Sequence, residues 1–271
     1  MKKLQRVFLT TALSVLTMSA SYAQIKTHPT MVLVHGALLT SSSWAPVQSV
    51  LQNNGYNVVT VDTPGRVNDG VKPQEATLSA AVAKVCRVVN LQAKSVILVG
   101  HSQAGAIITE ATEQCGKHIA GLIYVAAVVP KSGEKPFDML SEQDNKNFDL
   151  SAPLDEKTGL SIPNPNGPVK SLFMGDANEA DAKIAINAMV PESITLAYNA
   201  LNYDEKNFQA LPKYYIKTAQ DLIIAPASQD AYINREKMNG VIILQTSHSP
   251  FVSQPRLLAE KLMEINDKLS K

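Results

Sequence analysis

The 271 residues, 45% of them apolar, suffice for one α/β domain with an insertion or for two small domains. Lys and Arg number 25 against 24 Asp and Glu, a net charge of +1, and no stretch concentrates one sign. That balance argues against a nucleic-acid footprint, and no basic amphipathic helix marks a binder of membrane surfaces.

The chain opens MKKLQRVFLTTALSVLTMSASYAQ. Lys2, Lys3 and Arg6 precede an apolar run over residues 7–16, and small residues then lead to Ser21-Tyr22-Ala23. This is the order of a secretory signal cleaved after Ala23. Residues 1–23 are therefore expected to be removed, and 24–271 to be exported to the periplasm or beyond. A membrane anchor needs about 20 apolar residues, and threonines and serines interrupt this run. Export would expose Cys86 and Cys115 to an oxidising compartment, and their separation leaves a disulfide and two separately buried thiols both open. The chain has no CxxC, and His28, His35, His101, His118 and His248 lack metal-ligand spacing. Neither a metal nor an organic cofactor is implied.

Residues 30–36 (TMVLVHG) read as a buried strand stopping at a glycine. A helix follows over 43–56, with Ser43 as N-cap, Trp44, Val47 and Leu51 on one face, and Gly55 as its stop. The next strand is 57–62 (NVVTVD), and 75–92 repeats apolar residues at helical spacing. Then come strand 95–100 (SVILVG), a helix from Gln103, and strand 119–127 (IAGLIYVAA). Strands 213–218 (KYYIKT) and 240–245 (GVIILQ) appear much later, and a last helix starts near Pro255 with Leu257, Leu258 and Leu262 on its apolar face. Near-continuous Val/Ile/Leu strands separated by helices imply a mostly parallel sheet covered on both faces. Residues 131–211 break the pattern with SAPLDEKTGLSIPNPNGPVK and a helical run from about Asn178, which reads as an inserted cap.

Ser102 sits where a strand meets a helix, in GHSQAG, the setting that lifts a serine on a sharp turn. The match to G-x-S-x-G is imperfect: Gly100 is in place, but Ala104 stands two residues after the serine, with Gly105 next. A plain helix cap is the bland alternative. A serine hydroxyl needs a base oriented by an acid, in the chain order Ser, Asp or Glu, His. His248, after the last strand, has no rival beyond residue 118. For the acid, Asp221 follows a strand end, and Asp230 is the competitor, expected inside the next helix. The oxyanion donors expected are the N–H groups of Gln103 and of Ala37, with Gly36 letting that loop pass close to the site. His35 reads as a loop-shaping residue. The cap residues Phe137, Met139, Leu140, Phe173 and Met174 are candidates for an apolar lid, with Phe137, Phe173 and Met174 as substrate-binding candidates; the bland alternative is that several of them only fill the cap's own core.

VLVHGALLTSSSW, GHSQAG, YIKTAQDLII and TSHSPFVSQP resemble the α/β-hydrolase fold, and within it the branch of plant methylesterases and hydroxynitrile lyases with bacterial esterase relatives. The resemblance covers about residues 31–268 and is weak through the cap. It implies a triad of Ser102, Asp221 and His248, with oxyanion donors at Ala37 and Gln103. In the resembled lyases a threonine follows the first histidine of this loop and a lysine follows the catalytic histidine. Here those positions are Gly36 and Ser249, which favours ester hydrolysis over lyase chemistry. The expected activity is that of a serine carboxylic-ester hydrolase acting on a small-molecule ester, with no nucleic-acid or stable membrane partner. An amidase or lactonase with the same triad, a hydroxynitrile lyase and a non-enzymatic small-molecule binder are the alternatives.

Overall fold

A computed structural model describes residues 28–66 and 69–270 of the chain. The expected leader, residues 1–23, lies outside the described residues. The chain starts with β1 (Thr30–Val34), α1 (Ala45–Asn53), β2 (Val58–Val61), α2 (Leu78–Asn90), β3 (Val96–His101), α3 (Ala104–Cys115) and β4 (Ile119–Val125). Between this half and the last strands lie α4 (Glu142–Ser151), β5 (Leu154–Asp155), β6 (Leu160–Ser161), α5 (Val169–Phe173), α6 (Glu179–Asn187), β7 (Glu192–Ser193), α7 (Thr195–Tyr198) and α8 (Glu205–Ala210). The chain then returns through β8 (Lys213–Thr218), α9 (Pro226–Arg235), β9 (Gly240–Leu244), α10 (Pro250–Ser253) and α11 (Pro255–Leu269).

Six strands form one sheet in the order β2-β1-β3-β4-β8-β9, and every pair in it is parallel. β3 is buried along its whole length, which is why it reads as an unbroken apolar run rather than an alternating one. The apolar faces of α2 and α3 pack on one side of the sheet, through Val82, Val85, Ile107 and Ile108. On the other side α1 and α11 pack through Val47, Leu51, Leu258 and Leu262. β5, β6 and β7 form a separate antiparallel sheet within the intervening segment. No helix among the described residues is long and apolar enough to cross a membrane.

Two local readings are corrected. Ser43 is not the cap of α1: it lies inside a short 3₁₀ turn, Ser41–Trp44, and its hydroxyl donates to the Thr40 carbonyl at 2.8 Å. Pro46 in the first turn of α1 removes one of the N–H groups that a cap would otherwise satisfy. The first strand ends at Val34, because His35 and Gly36 leave the ladder to form the turn beside the site. Gly55 does end α1, with φ +83°. Cys86 of α2 and Cys115 of α3 form a disulfide, their Cα atoms 5.5 Å apart.

The strand order places the site. From β1 the chain moves outward to β2, then crosses back to β3 on the other side of β1. At such a reversal the loops leaving the two central strands diverge and open a crevice at the carboxyl ends of the strands. The loop after β1 carries Ala37, and the turn after β3 carries Ser102.

Candidate active site

Ser102 has φ +55°, a left-handed conformation that costs a residue with a side chain about 1–2 kcal/mol. Its surroundings hold it there. Its N–H donates to the Val125 carbonyl at 3.1 Å, and its own carbonyl accepts from Gly105 at 3.0 Å and Val128 at 3.2 Å. The glycines show why the imperfect motif works. A Cβ on Gly100 would lie 2.8 Å from the Ala104 carbonyl oxygen, and one on Gly105 only 2.0 Å from that of Val128. The demand for glycine after the serine therefore falls on Gly105, while Ala104 fits as a buried residue.

The structure brings Ser102, His248 and Asp221 into one buried line. His248 Nε2 is 3.0 Å from Ser102 Oγ, and His248 Nδ1 is 2.7 Å from Asp221 Oδ2. A carboxylate can only accept, so Nδ1 carries the proton and Nε2 is left as the acceptor for the serine hydroxyl. The Asp221 carboxylate is saturated. Oδ1 accepts from the N–H groups of Ile223 and Ile224 at 2.8 and 2.9 Å. Oδ2 accepts from Thr218 Oγ1 at 2.8 Å and Gln229 Nε2 at 3.3 Å, besides the histidine. Asp230 is elsewhere, half-exposed on α9 and paired with Lys217. Sequence reading missed Thr218 and Gln229. The threonine closing β8 three residues before the aspartate was a readable signal; nothing local marks Gln229.

Ala37, Ser102 and Gln103 share the wall of a cavity of about 530 Å³, whose apolar lining includes Phe137, Leu140, Phe148, Ile194, Ile223 and Ile224. Gly36 cannot be anything larger here: a Cβ would lie 2.7 Å from His101 Nδ1 and 2.8 Å from Ser102 Cβ. Of the lid candidates, Phe137 and Leu140 line this cavity. Phe173 packs edge-on against the His248 ring, centroids 5.5 Å apart. Met174 faces away, into a second cavity of about 470 Å³ with Leu39, Phe251 and Ser249. It terminates α5 with φ −148° and ψ 45°, and this break sends the two neighbours in different directions.

Two further histidines are buried beside the line. His101 Nε2 donates to the His248 carbonyl at 2.9 Å. Burial, reinforced by the nearby His248, holds its imidazole well below the usual histidine range, so it stays neutral. His35 fastens two loops: Nδ1 donates to the Gly36 carbonyl at 2.8 Å, and Nε2 accepts from the Thr63 N–H at 3.1 Å. Burial first, and the Arg66 guanidinium second, push its pKa down from 6.5 to about 4. Between those two values the unfolded chain binds a proton that the folded chain refuses, so stability rises with pH across that window. His35 should therefore cost the fold about 3 kcal/mol as the pH falls from 7 to 4. Denaturant unfolding of wild type and His35→Gln at several pH values checks this. The variant should lose that much of the slope, and equal slopes would assign it to other groups.

The profile of the alpha/beta hydrolase family matches residues 31–261. Among proteins of similar sequence, putative methylesterase 15 of Arabidopsis thaliana chloroplasts is 27% identical over 251 residues, covering 87% of this chain and 56% of its own. A pyrethroid hydrolase of Sphingobium wenxiniae is 27% identical over 246 residues, covering 88% of this chain and 87% of its own. The chain thus spans little more than half the length of the first of these and most of the second. Among solved structures, a pyrethroid hydrolase from Sphingobium faniae superposes with a TM-score of 0.79 at 24% identity, over 88% of this chain and 97% of that one. An Arabidopsis methylesterase superposes with a TM-score of 0.76 at 20% identity, over 89% and 99%. These superpositions show the α/β-hydrolase fold, with its parallel sheet and helices on both faces. Matched from the first strand of that sheet into its final helix, the chain belongs to the alpha/beta hydrolase family.

Proposed function

We propose that this protein is an exported serine hydrolase that cleaves small to medium carboxylic esters. The observation that carries the reading is the hydrogen-bonded line Asp221–His248–Ser102, ending at the wall of a cavity with apolar and polar sides. Ser102 Oγ attacks the ester carbonyl while His248 Nε2 takes its proton. The oxyanion that forms is held by the backbone N–H groups of Ala37 and Gln103. His248 then protonates the departing alcohol, and the acyl group stays on Ser102. A water, deprotonated by His248, attacks the acyl-enzyme and releases the acid. Asp221 keeps the imidazole in the reactive tautomer and stabilises its charged form. The names of the relatives, methylesterase and pyrethroid hydrolase, agree with an ester substrate. Export is supported by the leader-like residues 1–23 and by the Cys86–Cys115 disulfide, a bond that persists in oxidising compartments.

The same geometry weighs against cyanohydrin cleavage. The position of the lyases' threonine is Gly36, where a side chain would collide with Ser102 and His101. The position of their lysine is Ser249. Each lost polar contact is worth about 1–3 kcal/mol, more where charge is involved, and about 1.4 kcal/mol is a factor of ten in rate. The purified mature protein should hydrolyse simple methyl or aryl esters and take up a fluorophosphonate probe at Ser102. Cyanide release from mandelonitrile should stay near the uncatalysed rate. Efficient cyanide release with negligible ester hydrolysis would overturn the assignment.

A further inference from the structure

Besides the turn after β3 with Ser102, three loops carry groups of the site: the turn after β1 with Ala37, the loop after β8 with Asp221, and the loop after β9 with His248. Each is hydrogen-bonded to one carboxylate of the segment between β4 and β8. Glu192 Oε2 accepts from the Leu38 N–H at 2.9 Å and is also paired with the Arg66 guanidinium. Leu38 itself has φ +64°, and its carbonyl accepts from the Val190 N–H at 2.9 Å. A strained residue directly after Ala37 is thus held on both sides by residues 190–192. Arg66 ties the same piece of chain down again, donating to the Pro191 carbonyl at 2.8 Å.

The other two contacts follow the same pattern. Asp144 Oδ1 accepts from the Ala225 N–H at 3.1 Å, and its Oδ2 accepts from the Ser228 hydroxyl. This fixes the end of the Asp221 loop where it enters α9. Asp176 Oδ1 accepts from both the N–H and the hydroxyl of Ser247, the residue before His248. Asp144 and Glu192 are buried, 1% and 3% exposed, and Asp176 is half-buried. The partners lie 154, 81 and 71 residues away in sequence, so no local turn requires these bonds.

We infer that Glu192, Asp144 and Asp176 are positioning residues, through which the inserted segment sets the alignment of the oxyanion donor, the acid and the base. The segment is then a frame for the reacting groups as well as a roof over the cavity. This rests on the serine-hydrolase reading above. A backbone N–H accepted by a fixed carboxylate cannot swing, and a reacting geometry displaced by about 1 Å can cost 10²-fold in rate.

The test uses the mature protein and its Glu192→Gln, Glu192→Ala, Asp176→Asn, Asp176→Ala, Asp144→Asn and Asp144→Ala variants. The alanine variants should lose at least tenfold in kcat per folded molecule, with KM within about threefold of wild type. For Glu192→Ala, affinity for a trifluoromethyl ketone, which mimics the tetrahedral oxyanion, should fall in proportion to kcat. Affinity for the product acid should hold. Glu192→Gln and Asp176→Asn keep the one oxygen that accepts and should recover most of the loss, while Asp144→Asn, where both oxygens accept, should recover less. A kcat per folded molecule within twofold of wild type in the alanine variants would overturn the proposal. Amide hydrogen exchange on the wild type provides a check that needs no variant to fold. The N–H groups of Leu38, Ala225 and Ser247 should exchange as slowly as those of β3, and fast exchange at these three would also overturn it. A wild type that neither labels with fluorophosphonate nor turns over esters would instead sink the hydrolase reading itself.

Discussion

Ser102→Ala is expected to lower ester turnover about 10⁶-fold, the scale seen when a serine protease loses its nucleophile. The size follows from the geometry. No other hydroxyl among the described residues is placed 3.0 Å from His248 Nε2, so no second nucleophile inherits the proton acceptor. What remains is binding in the cavity and the two oxyanion N–H groups, which in such enzymes leave a residual rate of about 10³–10⁴ over water. The variant should fold, since alanine keeps the backbone bonds to Val125, Gly105 and Val128 that hold the turn. Fluorophosphonate labelling should vanish with turnover. Labelling that persists at another serine, with activity intact, would remove Ser102 from the mechanism.

Asp221→Asn should lower kcat about 10⁴-fold, by analogy with the same change in a serine protease. The carboxylate that now accepts the His248 Nδ1 proton becomes an amide. The bonds around it dictate which way that amide turns. The Ile223 and Ile224 N–H groups require an acceptor at Oδ1, so the amide oxygen stays there and the NH₂ points at His248. Faced with a donor, the imidazole moves its proton to Nε2 and presents N–H to the serine, the wrong tautomer for a base. Asp230→Asn should change turnover less than twofold, because that carboxylate only pairs with Lys217 at the surface. Measuring kcat for both variants decides between them, and the reverse ranking would make Asp230 the acid.

The central strands β1, β3 and β4 are legible in the sequence because burial on both faces removes polar interruptions, as in VILVGH of β3, whereas β9 is legible by its Val and Ile although Val241 and Ile243 are exposed. The helices on its faces are legible through their apolar spacing, although the run expected from residue 75 begins in α2 only at Leu78, where the Thr77 side chain caps it. The inserted segment is not. β5 and β6 are two residues each, and β7, the partner of β6, lies some thirty residues further along. A two-residue strand has no period to read, and a pairing across that distance depends on everything between. The site divides in the same way. Ser102 and His248 follow from their places at strand ends. The saturation of Asp221 by Thr218 and Gln229, and the divergence of Phe173 from Met174, arise from side chains meeting only after the chain has folded.

The disulfide has a consequence separate from catalysis. It joins α2 to α3, the helix that begins just past Ser102, and closes a loop of 29 residues. Such a cross-link acts mainly on the unfolded ensemble, whose freedom it cuts by an amount equivalent to about 3–4 kcal/mol. Chain made in a reducing cytosol would have the same sheet, crevice and hydrogen-bonded line, yet survive heat less well. The redox poise of its surroundings thus governs how long the molecule endures, while how fast it works is written in the loops at the ends of β1, β3, β8 and β9.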